Sequence, residues 1–179
     1  MLHGHQRRSI RLRNYDYATT GAYFVTICVH NHESRLGTIA NDVMMVNETG
    51  AEIDRWWQEL PTKFPSVELD AYVIMPNHMH GIIALLGDSA PTHTPTLGDV
   101  VGWFKTMTTN AYIRGVKAAR WPRFDKYFWQ RNYWDHIIRD DRSLKSIRRY
   151  IELNPQKWTL DIENPNPDWI ERMFGDSPI

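Results

Sequence analysis

The sequence contains almost no cysteine and no long apolar run, and these absences exclude several classes of protein. Of the 179 residues only Cys28 is a cysteine, so an intrachain disulfide framework and a cysteine-rich zinc site are both excluded. The basic N-terminus lacks the apolar segment of a signal peptide, and no apolar stretch is long enough to span a bilayer. We therefore expect a soluble, cytoplasmic protein with no membrane partner.

The formal net charge is zero, but charge is distributed unevenly along the chain. Residues 33–70 hold eight acidic residues against three basic ones, whereas residues 102–149 hold twelve Lys or Arg against four Asp. The first thirteen residues contain four Arg and no acidic residue. Such asymmetry predicts a basic face that binds a polyanion. The alternative is that charges of one sign cluster on solvated surfaces without any partner.

A hydrophobic content of 42% favours one folded domain with flanking segments of different composition. We predict a basic N-terminal arm over residues 1–20, a domain over residues 21–158 and an acidic, proline-rich tail over residues 159–179. Strand and helix patterns within the domain predict an α+β fold. A ferredoxin-like antiparallel sheet, with helices packed mainly on one face, fits that pattern. The predicted strands cover 22–29, 69–75, 78–86 and 127–130, with a further extended stretch over 36–46. The predicted helices cover 47–60, 96–118, a segment starting near Asn132, and 143–154.

The segment MPNHMHGIIALL, residues 75–86, carries two histidines two positions apart. On a strand the side chains of His78 and His80 project from the same face, so two neutral imidazoles can converge on one divalent ion. The alternative is that both rings satisfy backbone groups, since so short a motif also occurs by chance. The Pro-Asn turn before the histidines favours a site at the end of a strand.

The segment YFWQRNYWDHIIR, residues 127–139, combines aromatic rings with several charges. A tyrosine near the start of a helix can attack a phosphodiester when a metal ion or the helix N-terminus holds the phosphate. Tyr133 is a candidate for such a nucleophile, and His136, three residues later on the same helix face, could complete a metal site or be a polar surface residue. The alternative is an ordinary tyrosine of an amphipathic helix. If the nucleophile lies elsewhere, Tyr127 and Tyr150 are the next candidates.

Six segments occur in an order and spacing typical of a known family: RRSIRLRNYDY (7–17), GAYFVTICV (21–29), MPNHMHGII (75–83), FKTMTT (104–109), WQRNYWDHIIR (129–139) and YIELNP (150–155). They resemble the REP-associated tyrosine transposases, a branch of the single-tyrosine HUH transposases. The resemblance implies a ferredoxin-like or RRM-like domain that uses Mg²⁺ or Mn²⁺. It also implies that His78 and His80 are metal ligands and that Tyr133 is the nucleophile. Relatives often supply a third ligand, commonly Gln, one turn after the tyrosine; that position here is Ile137, so His136 is the predicted substitute.

The function implied by the resemblance is a metal-dependent endonuclease and strand transferase of single-stranded DNA. It would act at imperfect, REP-like hairpins through a 5′-phosphotyrosine intermediate. The alternatives are a non-catalytic, domesticated protein that binds hairpin DNA, and a metal-dependent hydrolase of a small phosphoester. We expect a monomer, with a dimer as the alternative state. The predicted DNA contacts are Arg7, Arg8, Arg11, Arg13, Lys105, Trp129, Gln130, Arg131, Arg139, Arg148 and Arg149.

Overall fold

The computed structural model describes residues 20–87 and 95–158. The predicted tail and all of the predicted arm except Thr20 lie outside the described residues, as do the four arginines of that arm. The strands are β1 (Gly21–Cys28), β2 (Gly37–Ala40), β3 (Val43–Val46), β4 (Val67–Ile74), β5 (His78–Leu85) and β6 (Trp134–Ile138). The helices are α1 (Glu48–Gln58), α2 (Leu60–Lys63), α3 (Leu97–Lys117) and α4 (Asp141–Leu153). Among these helices, none combines the length and apolar character needed to cross a membrane.

Four strands form an antiparallel sheet in the order β4-β5-β1-β6. With β2 and β3 set apart as a separate hairpin, this is the βαββαβ order of a ferredoxin-like fold, and the predicted fold class is confirmed. The two central strands, β1 and β5, read GAYFVTIC and HMHGIIAL. Such nearly continuous apolar runs suit strands that are covered on both faces of a sheet.

The main core lies between one face of the sheet and helices α1 and α3. Val25 and Ile27 of β1 and Met79 of β5 point to this face and pack in one buried cluster with Trp57 of α1 and Phe104 of α3. The opposite face carries a second, smaller buried cluster that includes Phe24, Ile82, Ile147 and Ile151. The sheet therefore has helices on both faces, with α4 alone among the described helices covering the second one.

Side-chain caps fix where the helices begin. Asn47 caps α1, and Thr96 and Asp99 form a reciprocal capping box at the start of α3, which satisfies backbone N–H groups that have no partner within the helix. Helix α4 begins at the cap Asp140, whose carboxylate accepts from the backbone N–H of Ser143 at 2.7 Å. The sequence prediction started this helix at Ser143, three residues too late.

The predicted helix carrying Tyr133 is wrong. Residues Trp134–Ile138 form β6, which pairs antiparallel with β1 along its free edge. The hydrogen bonds and packing of this pairing come from a strand that is distant in sequence. They outweigh the local helical pattern, which is why the segment is a strand. The strand predicted over residues 127–130 is likewise reduced to a single antiparallel bridge, between Val29 and Trp129.

A matched pair of glycine substitutions tests the packing of β5 against α1. A Cβ atom at Gly81 would overlap the indole of Trp57, whereas one at Gly102, on the exposed side of α3, would meet open space. We expect Gly81→Ala to lower the free energy of unfolding by about 1–3 kcal/mol through overpacking. Gly102→Ala should raise it by about 0.5–1 kcal/mol, because glycine in a helix interior is destabilising. Urea unfolding measures both, and effects of the same sign would contradict this packing.

Candidate active site

Strand β5 brings the two histidines of the sequence motif together. His78 and His80 share one face, as the strand spacing predicts, and their Nε2 atoms lie 3.1 Å apart. Both side chains are buried, with 7% and 2% of their surface exposed. Two neighbouring ligands about 2.1 Å from an octahedral ion lie about 3.0 Å apart. The separation of the two nitrogens therefore fits a shared divalent cation.

Hydrogen bonds orient both imidazole rings. Nδ1 of His78 lies 2.7 Å from Oδ1 of Asn77, which can only accept, so Nδ1 carries the proton and Nε2 keeps a lone pair. The orientation of the Asn77 amide is itself set, because its Nδ2 donates to the backbone carbonyl of His32 at 3.1 Å. Nδ1 of His80 bonds with the Thr26 hydroxyl at 2.8 Å. These partners hold each ring with Nε2 toward the other, as second-layer partners do at metal sites.

Burial keeps both histidines neutral. It lowers the pKa of His78 to about 3, with the nearby His32 adding to the shift. Burial also lowers the pKa of His80 well below its ordinary value, and the neighbouring His78 contributes. Neutral imidazole is the form that binds a divalent metal, so no proton has to be displaced from either ring at neutral pH.

Helix α4 places Tyr150 directly against the histidine pair. The Tyr150 hydroxyl lies 3.2 Å from Nε2 of His80, and the two rings meet edge to face with centroids 5.2 Å apart. Beyond α4, the ring of Trp158 stacks on His78 at a centroid distance of 6.1 Å. The C-terminal part of α4 and the turn after it therefore lie over both histidines.

Asn154, the C-cap residue of α4, follows Tyr150 by four residues with helical backbone angles, and its side chain is fully buried. Neither its Oδ1 nor its Nδ2 has a hydrogen-bond partner. Leaving a buried amide unsatisfied costs about 1–3 kcal/mol, so such a group needs an explanation. An amide oxygen is a suitable ligand for a hard divalent cation. His78, His80 and Asn154 together offer a donor set that fits Mg²⁺ or Mn²⁺.

The structure does not bring Tyr133 to the histidine pair. Tyr133 lies in the main core cluster, on the face of the sheet opposite the histidines, and is 9% exposed. His136 does lie on the histidine face, paired with Phe24, whose ring stacks on His80 at 5.3 Å. The prediction that Tyr133 and His136 share a face assumed a helix. In an extended chain, residues three apart face opposite ways, so the prediction is wrong.

His136 also fails to complete a ligand group with the two histidines. Within residues 20–87 and 95–158, no group of three or more His, Cys, Asp or Glu side chains has the spacing to hold a metal ion. Phe24 of β1 is the register partner of His136. Strand β1 lies between β6, which carries His136, and β5, which carries the two histidines. Burial, together with the charge of Arg139, lowers the pKa of His136.

Four of the predicted DNA contacts are arginines within the described residues, and all four lie on the surface. Arg131, Arg139 and Arg149 are exposed. Arg148 is also exposed, but its guanidinium donates to both carboxylate oxygens of Asp70. Arg148 is thus engaged with Asp70, whereas for Arg131, Arg139 and Arg149 contact with a phosphate backbone stays a prediction.

The other three predicted contacts are engaged inside the protein. Lys105 donates from Nζ to the backbone carbonyl of Gln130 at 2.6 Å. Trp129 is 4% exposed and donates from its indole N–H to the Thr108 hydroxyl at 2.8 Å. The amide of Gln130 donates to Nε2 of His32 at 2.9 Å. These hydrogen bonds hold the segment before β6 in place, and contact of the three side chains with DNA stays a prediction.

Tyr150 was an alternative nucleophile in the sequence interpretation and Asn154 was not among its predicted ligands, but the spacing of the two residues is a signal that the sequence contains. The resemblance implies a ligand one turn after the nucleophile, and of the three candidate tyrosines only Tyr150 is followed four residues later by a side chain that can ligate. Isoleucine follows Tyr133 at that distance, and arginine follows Tyr127. Tyr150 and Asn154 also both fall inside the predicted helix over residues 143–154.

Comparison with known proteins gives a family match, two similar proteins and one similar solved structure. Residues 41–154 match the family described as "Transposase IS200 like". The chain is 39% identical to an uncharacterized protein of Haemophilus influenzae, over 88% of this chain and 92% of that protein. It is 24% identical to the REP-associated tyrosine transposase of Escherichia coli, over 88% of this chain and 79% of that one. A solved structure of a REP-associated tyrosine transposase bound to a REP hairpin shares the fold, with a TM-score of 0.58, 22% identity and coverage of 84% and 74%.

Replacing Asn154 by Leu tests whether its buried amide is a ligand. In EDTA we expect the free energy of unfolding of Asn154→Leu to be about 1–3 kcal/mol higher than that of the unsubstituted protein, because the substitution removes an unsatisfied buried amide. The rise in melting temperature on adding Mn²⁺ should be lost in Asn154→Leu and kept in Asn154→Asp, which retains an oxygen ligand. Thermal unfolding with and without Mn²⁺ measures both. A full Mn²⁺ response in Asn154→Leu would contradict the assignment.

Proposed function

Because this chain belongs to the IS200-like transposase family, we propose that it is a metal-dependent endonuclease and strand transferase of single-stranded DNA. Its substrate would be an imperfect hairpin, like the REP hairpin bound by the similar transposase of known structure. The observation that carries the proposal is the position of the Tyr150 hydroxyl, 3.2 Å from Nε2 of a buried histidine pair.

In this proposal Tyr150 takes the place that the sequence interpretation gave to Tyr133. Its hydroxyl oxygen attacks the scissile phosphorus, so that an Oη–P bond forms and the P–O3′ bond breaks. The tyrosine loses its proton, and the departing 3′ oxygen takes one up to become a free 3′-hydroxyl. The DNA 5′ end is then held as a phosphotyrosine ester. Attack by a 3′-hydroxyl on that ester reverses the reaction and joins strands without ATP.

His78, His80 and Asn154 are the side chains that would hold the ion. A bound Mg²⁺ or Mn²⁺ supplies Lewis-acid polarisation of the phosphate. The chain itself contributes orientation: Asn77 and Thr26 fix the imidazole rings, and the packing of α4 holds the Tyr150 hydroxyl at the pair. Positioning of this kind removes much of the entropic barrier to attack.

The DNA interface that we propose is basic and lies beside the site. Arg149 is exposed on α4, next to Tyr150, and Arg131 and Arg139 are exposed on either side of β6. The four arginines predicted as DNA contacts in the N-terminal arm remain part of the proposal as contacts to the sugar–phosphate backbone. Phosphate contacts of this kind set affinity and register, whereas hairpin shape and unpaired bases set specificity.

Two tyrosine-to-phenylalanine variants, each removing one oxygen, decide which tyrosine is the nucleophile. Incubated with a labelled single-stranded hairpin oligonucleotide and Mn²⁺, the unsubstituted protein should form a covalent adduct visible on a denaturing gel. We expect Tyr150→Phe to abolish the adduct while hairpin affinity stays within about twofold, and Tyr133→Phe to retain it. EDTA should abolish the adduct in every variant.

An adduct that survives Tyr150→Phe and is lost in Tyr133→Phe would identify Tyr133 as the nucleophile. Tight hairpin binding by the unsubstituted protein without an adduct, in Mn²⁺ or Mg²⁺, would overturn the catalytic proposal. It would favour the non-catalytic hairpin-binding protein instead.

Arg149→Ala tests the proposed basic interface. Removing one phosphate contact should weaken binding about evenly across hairpin sequences and reduce the slope of log affinity against log salt by about one. Arg55→Ala is the matched control, since Arg55 is exposed on α1, which packs on the other face of the sheet. Fluorescence anisotropy titrations at several salt concentrations give both quantities. Equal effects of the two substitutions would place the interface elsewhere.

A further inference from the structure

One exposed aromatic ring stands close to the candidate site without a part in the reaction described above. Tyr127 is 60% exposed, whereas the two residues that follow it, Phe128 and Trp129, are 1% and 4% exposed. Of the large hydrophobic side chains exposed in residues 20–87 and 95–158, Tyr127 is the one aromatic. Burying this ring against a partner would therefore recover apolar surface that the protein itself leaves in water.

The backbone around Tyr127 holds the ring outward. Lys126 has a left-handed φ of 52°, and the N–H of Tyr127 donates to the carbonyl of Asp125 at 2.5 Å, which closes a tight turn. A positive φ is uncommon for lysine, and such conformations persist where the surrounding structure enforces them. The next residue is anchored as well, because the carbonyl of Phe128 accepts from the N–H of His30 at 2.9 Å.

His30 supports the ring from the side. The two rings meet edge to face, with centroids 5.7 Å apart. This contact leaves the Tyr127 ring largely open to solvent. A ring that is supported by one neighbour and otherwise exposed is suited to stacking with a planar partner.

The turn that carries His30 is tied to the metal ligands by a short series of hydrogen bonds. The same turn contains His32, whose carbonyl accepts from the Asn77 amide at 3.1 Å. Asn77 in turn accepts from Nδ1 of His78 at 2.7 Å. The exposed ring and the histidine pair are therefore held at the same end of β1 and β5, with a rigid turn between them.

The charges around the ring favour an anionic strand. Lys126 and Arg131 are exposed on either side of it along the chain, and Arg123 is exposed just before them. Asp125 is the one acidic residue in this stretch, residues 123–131. Aromatic rings set among basic residues are the usual means by which proteins hold single-stranded nucleic acid, because every base has a face that can stack.

From this geometry we propose that Tyr127, supported by His30, is a stacking site for one unpaired base of single-stranded DNA beside the histidine pair. The inference rests on the proposed function and adds a base-binding position to it. The stacked base would hold the unpaired strand next to the scissile phosphate. Because the contact is with a base face, it would be tolerant of sequence.

Binding to a hairpin oligonucleotide with a single-stranded flank tests the proposal without any cleavage. The probe carries 2-aminopurine at successive flank positions, and all variants are made in a Tyr150→Phe background and measured in EDTA. We expect one flank position to be quenched on binding. Tyr127→Ala should remove that quenching and weaken binding roughly 5- to 100-fold, the range for loss of one stacked base. The salt dependence should stay unchanged, since no charge is removed.

Three further variants separate stacking from other causes. Tyr127→Phe keeps the ring and should retain both affinity and quenching, whereas Tyr127→Leu keeps apolar bulk and should behave like the alanine variant. Met45→Ala removes a side chain of similar exposure, 57%, from the β2–β3 hairpin and should change nothing. Native affinity and quenching in Tyr127→Ala, or full retention in Tyr127→Leu, would overturn the stacking site and leave the proposed function intact. Failure of the reference protein to bind the hairpin would overturn both.

Discussion

Burial of β5 on both faces is the constraint on which the candidate site depends. One face of this central strand lies under α1, where Gly81 leaves room for the indole of Trp57. The other face carries His78 and His80 beneath α4. A buried charged group would be costly, but neutral imidazoles need only hydrogen-bond partners, and Asn77 supplies one of them. The strand can therefore belong to the core and carry two neutral imidazoles at the same time.

Helix α4 is held against that face mainly by apolar contacts. Ile147 and Ile151 are buried there with residues of β1 and β5, and fully burying a side chain of this size contributes about 1.5–3 kcal/mol. The ion pair that also joins α4 to β4 lies at the surface, where such pairs contribute little. Because Tyr150 and Asn154 are one turn apart on this helix, the packing that places the hydroxyl also places the amide. The hydroxyl of Tyr150 and the amide of Asn154 are thus positioned together by one helix.

The parts of the fold that could be predicted from sequence are those specified by local pattern. The two-residue period of β5 predicted that its histidines share a face, and the cap at Asn47 predicted where α1 begins. The segment over residues 132–138 was misread, because its strand conformation comes from pairing with β1, more than a hundred residues earlier in the chain. That one change of element moved Tyr133 to the far side of the sheet. The partnerless amide of Asn154 could not have been foreseen, since burial without a partner is a property of the assembled core.

Asn77 connects the chemistry of the site to the surface beside it. Its backbone carbonyl accepts from the N–H of Val29 at 2.8 Å, its Nδ2 donates to His32, and its Oδ1 accepts from His78. Through its backbone and its side chain, Asn77 thus joins the end of β1, the turn that supports Tyr127 and the imidazole of His78. A dipeptide that reads in sequence as a simple turn signal is, in the folded chain, the element that fixes an imidazole tautomer. Because these bonds are short and largely buried, a nucleotide held on the exposed ring would be kept in register with the histidine pair, with little backbone freedom between them.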